Sequence, residues 1–358
     1  MVRSTLPRAT RATRALRAGF AGGALALAAL AVTLPAAPAA RAADPDVNVY
    51  STRQAFLIQP LFDAFTEETG IGVNVVFAKE GLAERLRAEG DNSPADLVFT
   101  ADIGHLNDLV ELDVVQPVDN ATLESAIPAQ YRHPDGKWFG LTLRGRVIYA
   151  AKERVPEGAV ETYADLTDPR WEGRVCTRKG DHPYQVALLA ALIAEKGEDA
   201  ARAWLAGLKD NLARRPQGND RAQVKAIMEG QCDLAIGNTY YMGKMLDDPE
   251  QRAWAEAAYI VFPNQDGSGT HMNLSGVAMT KAAPNRDNAV ALMEFLVSDR
   301  AQEMYAQLNH EYPVKPDVAW SDLLRSWGDF KMDPLSLSEV AKYRGRALMM
   351  VNSVGYNS

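Results

Sequence analysis

Tyr240 and Tyr241 are adjacent, at a point where a short apolar run gives way to an apparent helix. Cys232-Asp233-Leu234-Ala235-Ile236 reads as a buried strand, and Tyr240 to Leu246 as a helix ending at Asp247-Asp248-Pro249. In open α/β sheets such an edge is where ligands bind. A phenol is a weak acid with a free pKa near ~10. Two phenols side by side there offer hard oxygen donors to a cation able to displace their protons. The pair also fits a plainer arrangement, with one ring on the core and the other over the surface.

The two cysteines bear on a third tyrosine. Cys176 lies eight residues before Tyr184, and Cys232 lies eight before Tyr240. Both occupy short strand-like runs, and in an exported chain a disulfide is the first expectation. If those strands are parallel neighbours joined by the disulfide, Tyr184 and Tyr240 emerge near the same sheet edge.

Export itself is legible. Arg3, Arg8, Arg11, Arg14 and Arg17 precede the uncharged apolar run Ala18 to Leu34, and Ala40-Arg41-Ala42 offers a small-x-small cleavage site. Residues 1–42 therefore read as a secretory signal peptide cleaved after Ala42. No second apolar run of spanning length follows, so no stable membrane insertion is expected. Removing the segment takes away six arginines and moves the net charge from −8 to −14. That balance argues against nucleic acid and anionic membrane as partners.

Other chemistry is sparse. The chain has no Gly-x-Ser-x-Gly elbow and no phosphate-cradling Gly-x-x-x-x-Gly-Lys-Ser/Thr. Its five histidines, His105, His133, His182, His271 and His310, include no pair at zinc-ligand spacing. Nothing nominates a nucleophile with its base, so no enzyme activity is expected.

The elements that position the tyrosines alternate. Strands are predicted at Val47–Tyr50, Val73–Phe77 and Asp96–Thr100, with helices between them, which implies a mostly parallel sheet. Pro60 is expected near the first turn of its helix. Trp138 to Tyr149 reads as a long strand broken by Arg144-Gly145-Arg146, a crossover between domains. A second αβ alternation then runs through both cysteine strands. Gly267 to His271 reads as flexible, Leu274 to Met279 as a returning strand, and 318–358 as a helical tail. Two αβ lobes joined by two hinge crossings would enclose a ligand cleft.

Several stretches, in order along nearly the whole mature chain, resemble the periplasmic ferric-iron-binding proteins of bacterial ABC importers. They are Val49-Tyr50-Ser51-Thr52-Arg53-Gln54, Thr69-Gly70-Ile71, Ser93-Pro94-Ala95-Asp96, Trp138-Phe139-Gly140-Leu141, Arg215 to Arg221, Asn238-Thr239-Tyr240-Tyr241, Ser275-Gly276-Val277 and Asn309 to Val314. The resemblance implies the two-lobed α/β periplasmic binding protein (type II solute-binding) fold. Residues 43–143 plus 270–317 would form the N-terminal lobe, and 144–269 plus 318–358 the C-terminal lobe. It implies Fe3+ as transported ligand, bound by Tyr240, Tyr241 and a third tyrosine, Tyr184, and delivered to an ABC permease by a monomeric periplasmic protein. Other branches of the family carry a histidine where this chain has Gln54, a carboxylate at Ala101, or a tyrosine at Ala55. Asp102 is the one candidate to replace the missing carboxylate. Three phenolates match the charge of the cation and leave octahedral positions open for a synergistic anion such as carbonate. Its expected donors are Arg53 first, then Arg146, with Arg144 and Gln54 beside them. The competing readings are a binding protein of the same fold for an organic anion or polyamine, and an exported enzyme.

Overall fold

The structure is a computed structural model and describes residues 46–358. The expected signal peptide and its cleavage point lie outside the described residues. The described residues form ten strands: β1 (Val47–Ser51), β2 (Val73–Phe77), β3 (Leu97–Thr100), β4 (Val115–Gln116), β5 (Phe139–Ala151), β6 (Val175–Cys176), β7 (Leu234–Asn238), β8 (Ala258–Val261), β9 (Met272–Thr280) and β10 (Tyr312–Pro313). Their hydrogen-bonded order is β2-β1-β3-β9-β5-β7-β6, with β4 beside β9 and both β8 and β10 beside β5. β1 runs parallel to β2 and β3, and β6 runs parallel to β7. The other six pairings, each made by β5 or β9, are antiparallel. The sheet is therefore not mostly parallel as expected, because these two long strands run against the αβ units on either side. The two-residue strands β4 and β10 are too short to show any periodicity in the sequence.

β5 joins two lobes. Residues 139–145 pair with β9, whereas residues 146–150 pair with β7. Every residue of β5 is buried, as a strand covered on both faces requires. One apolar core gathers Val49, Phe62, Phe65, Phe99, Leu274 and Val277. The other gathers Tyr149, Val175, Leu188, Leu189, Leu234 and Ile236. The molecule is thus the expected two-lobed α/β fold, with β5 and the start of β9 as its crossings. The tail forms three short helices, Asp322–Ser326, Leu337–Ala341 and Arg344–Val354. Leu324 and Leu337 pack in the first core, while Ala347, Met350 and Tyr356 pack in the second.

Three local expectations need correction. Pro60 lies in the second turn of the helix Ala55–Thr69, not the first. The carbonyl deprived of its partner belongs to Phe56, which is 54% exposed, so water can satisfy it. The strand expected at Cys232–Ile236 runs two residues later, because Arg154 and Arg174 both grip Asp233 and hold it ahead of the ladder. The stretch 267–271 is tied down at its end. Thr270 donates its N–H to Lys331 and accepts from the Asp333 N–H, both at 2.9 Å.

Cys176 and Cys232 are disulfide-bonded, with their Cα atoms 5.8 Å apart, beside the pairing of Cys176 with Ala235. The bond closes a sequence separation of 56 residues, worth roughly 4 kcal/mol in the chain-entropy account. Replacing both cysteines by alanine should lower the unfolding free energy by about that amount in urea titrations. Mass spectrometry of the non-reduced wild type should find no free thiol.

Candidate metal centre

Each tyrosine begins a helix at the exit of a strand. After β6 the chain turns into the helix Pro183–Lys196, with Tyr184 as its second residue. Proline suits the first helical position because its missing N–H has no intrahelical partner there anyway. The Nδ1 of His182 caps the turn, accepting from the Tyr184 N–H at 3.2 Å. After β7 the helix Thr239–Asp247 begins at once, with Tyr240 and Tyr241 in its first turn. β6 and β7 are parallel neighbours, so both helices start from the same sheet edge. The matching offsets from the two cysteines are thereby realised in space.

Tyr240 and Tyr241 are 5% and 9% exposed, and their ring centroids lie 4.1 Å apart. Tyr184 is half-buried. Burial pushes the Tyr240 phenol well above its ordinary range, and negative charge on Tyr184 or Tyr241 would push it further. Tyr241 is raised chiefly by burial, then by Tyr184 and Asp220. The buried phenols of Tyr240 and Tyr241 are therefore hard to ionise unless a cation compensates the charge. Among the described residues, no group of three His, Cys, Asp or Glu side chains is placed to hold a metal ion.

Buried arginines flank the tyrosines. Arg53 makes a forked ion pair with Glu311, at 2.9 and 2.7 Å, and also contacts the Ser275 hydroxyl. Arg144 donates to the Ser275 Oγ at 2.7 Å and to the Leu274 carbonyl at 3.1 Å. Its guanidinium lies over the Tyr184 ring, 5.3 Å from the centroid. Arg146 pairs with Asp220 at 2.8 Å and donates to the Asn238 and Gln185 side-chain oxygens. Gln54 is exposed, at the N-terminus of the helix Ala55–Thr69, and leaves it without a side-chain cap. Asp102 caps the helix Ile103–Glu111 by accepting from the Gly104 N–H and binds the Asn273 amide. Both of its oxygens are thus engaged within the first lobe.

Three charged residues that matter here escaped the reading of the sequence. Arg178 pairs with Asp220 at 3.0 Å and lies over the Tyr184 ring at 5.2 Å. Asp220 holds two arginines at once. Glu311 fills the fork of Arg53. Asp220 and Glu311 fall in two of the stretches that carry the family resemblance, and that was the available signal. Their partners lie 74 and 258 residues away, which no local pattern reveals.

A family model for bacterial extracellular solute-binding proteins matches residues 60–333. The chain belongs to that family. As a solute-binding protein it is 44% identical over 314 residues to iron uptake protein A1 of Synechocystis sp., a match covering 87% of each chain. Apo ferric ion-binding protein A of Pasteurella haemolytica is 49% identical and superposes with a TM-score of 0.84, over 88% of this chain and 99% of that one. The Trichodesmium IdiA (FutA) protein, solved with iron and citrate ligands, is 38% identical with a TM-score of 0.83, over 87% and 99%.

His271, buried at the second crossing, is pushed down to about 4 by burial, with Arg146 adding to the effect. The folded state therefore refuses a proton that the unfolded state accepts below ~6.5. Stability should be fully present above that value and fall as pH drops towards 4, by on the order of 3 kcal/mol from this group. Urea titrations between pH 7 and 4 should show a shallower slope in His271→Gln.

Proposed function

We propose that this solute-binding protein captures Fe3+ in the cleft between its lobes, in the periplasm, and hands it to an ABC permease. Tyr184, Tyr240 and Tyr241 bind the cation as phenolates. The observation that carries this reading is the convergence of three tyrosines on one sheet edge. Their combined charge of −3 matches the cation, and a hard, highly charged ion prefers oxygen donors. The iron named for the Synechocystis, Pasteurella and Trichodesmium relatives supports the choice of metal.

Three protein ligands leave coordination positions for a small synergistic anion such as carbonate. Arg144 and Arg146 are both buried, and each keeps an Nε–H without a partner. Arg53 contributes charge, but its fork is filled by Glu311, so it would reach an anion only by sharing that contact. Gln54 adds a donor beside an uncapped helix N-terminus, where backbone N–H groups favour anions. The lobes divide as 43–143 with 270–317 and 144–269 with 318–358. They close about the two crossings, and the protein works as a monomer that makes and breaks no covalent bond in a substrate.

Ferric nitrilotriacetate added to metal-free protein should produce a visible phenolate-to-iron charge-transfer band at one iron per chain. Tyr240→Phe and Tyr241→Phe keep the ring packing but remove a donor oxygen. Each should weaken iron binding by about a hundred-fold or more, since even residues one step behind a metal's ligands matter by 10–100-fold. A colourless wild type at every iron ratio would favour an organic ligand instead.

Acid should release the metal. Protons and Fe3+ compete for the same oxygens, so binding couples to as many as three protons. The band should fade steeply below neutral pH while far-UV circular dichroism still reports a folded chain. Persistence of the band until the fold is lost would contradict phenolate protonation as the release step.

A further inference from the structure

The side chain that stands out beyond the ligands is Arg178. It lies between the disulfide strand β6 and the Tyr184 helix, 8% exposed. Its guanidinium is 5.2 Å from the centroid of the Tyr184 ring, and that of Arg144 is 5.3 Å from the same centroid. Neither cation is free to wander. Arg178 is held by the Asp220 carboxylate at 3.0 Å, and Arg144 by Ser275 and Leu274. The other Asp220 oxygen accepts from Arg146 and, at 3.0 Å, from the Asn238 N–H. Asn238 leads directly into Tyr240 and Tyr241. One carboxylate thus ties the loop carrying Arg178 to the strand end carrying the tyrosine pair.

A cation over an aromatic ring is attracted by the ring's negative face. The attraction grows when the ring carries the delocalised charge of a metal-bound phenolate. Arg178 also keeps its Nε–H unpartnered in a buried setting, so its hydrogen bonds to Asp220 do not exhaust it. Its charge is coupled to Tyr241, Tyr184 and Tyr240 as well as to Asp220.

Building on the ferric reading, we propose that Arg178 is a positioning residue for iron binding. It holds the Tyr184 ring at the sheet edge and compensates the charge of its phenolate, acting through Tyr184 and without touching the metal. The cation lowers the energy of the phenolate donor electrons, so it also sets the energy of the charge-transfer transition.

The test uses full-length mature protein and ferric nitrilotriacetate, with citrate as competitor. Arg178→Met should still give a coloured complex, because Tyr240 and Tyr241 remain. The band should move to longer wavelength, and affinity should fall on the order of ten-fold, the range of a desolvated cation–π contact. Arg178→Lys should return the band most of the way to its wild-type position. In a Tyr184→Phe background, Arg178→Met should change affinity clearly less than in the wild type, because the part of its effect that passes through that phenol is gone. An unmoved band in Arg178→Met, or full additivity with Tyr184→Phe, overturns the proposal. So does a loss of affinity that Lys does not relieve, which would mark a merely structural role. If Arg178→Met does not fold, the same cycle run with Arg178→Lys decides, with coupling to Tyr184→Phe expected and additivity contradicting it. A wild type that gives no coloured complex defeats the ferric reading itself and is thereby distinguishable from failure of this one.

Discussion

The buried carboxylate of Asp220 is the contact on which the placement of the three tyrosines depends. Burial alone would raise its pKa; Arg146, Arg178 and the Asn238 N–H outweigh that and hold it below the ordinary carboxylate range. Its partners belong to three different segments: the crossing strand β5, the loop after β6, and the end of β7. Each delivers something to the site. β5 brings a cation to the cleft, the loop leads to Tyr184, and β7 ends at the tyrosine pair. Removing such a carboxylate would strand two guanidiniums out of water, a severe penalty for any fold. The local geometry is therefore over-determined, which is how the three phenols of the proposed site are held together without a cation.

A second buried cluster mirrors the first across the crossing. Arg53, Arg144, Glu311 and Ser275 interlock with no exposed member. Arg144 and Arg146 are two residues apart on β5, so the same strand sends one cation into each cluster. The register changes partner between them, from β9 at Gly145 to β7 at Arg146.

Much of this was legible in the sequence, and the reasons are specific. Tyr240 and Tyr241 could be placed because an apolar strand and a helix stop signal bracket them. The link to Tyr184 followed from two equal offsets after cysteines, and it holds because β6 and β7 really are parallel neighbours. β5 announced itself as a long apolar run with Arg-Gly-Arg in the middle. What could not be read were the partners. Arg53 looked like a free anion donor at a helix start, yet its fork is closed by a glutamate 258 residues on. Arg178 carries no local signature at all, and Asp220 only its place in a family-like stretch, since ion pairs between distant loops leave no periodicity. Gly267 to His271 looked mobile from composition, whereas Thr270 is clamped by backbone bonds to Lys331 and Asp333.

The central claim is that three phenolate oxygens hold one ferric ion between the lobes. Anomalous diffraction at the iron edge, from crystals of the iron-loaded protein, tests it most directly. The account predicts a single strong peak within bonding distance of the hydroxyl oxygens of Tyr184, Tyr240 and Tyr241. A peak coordinated elsewhere, or one that leaves Tyr240 and Tyr241 out of bonding range, would contradict it.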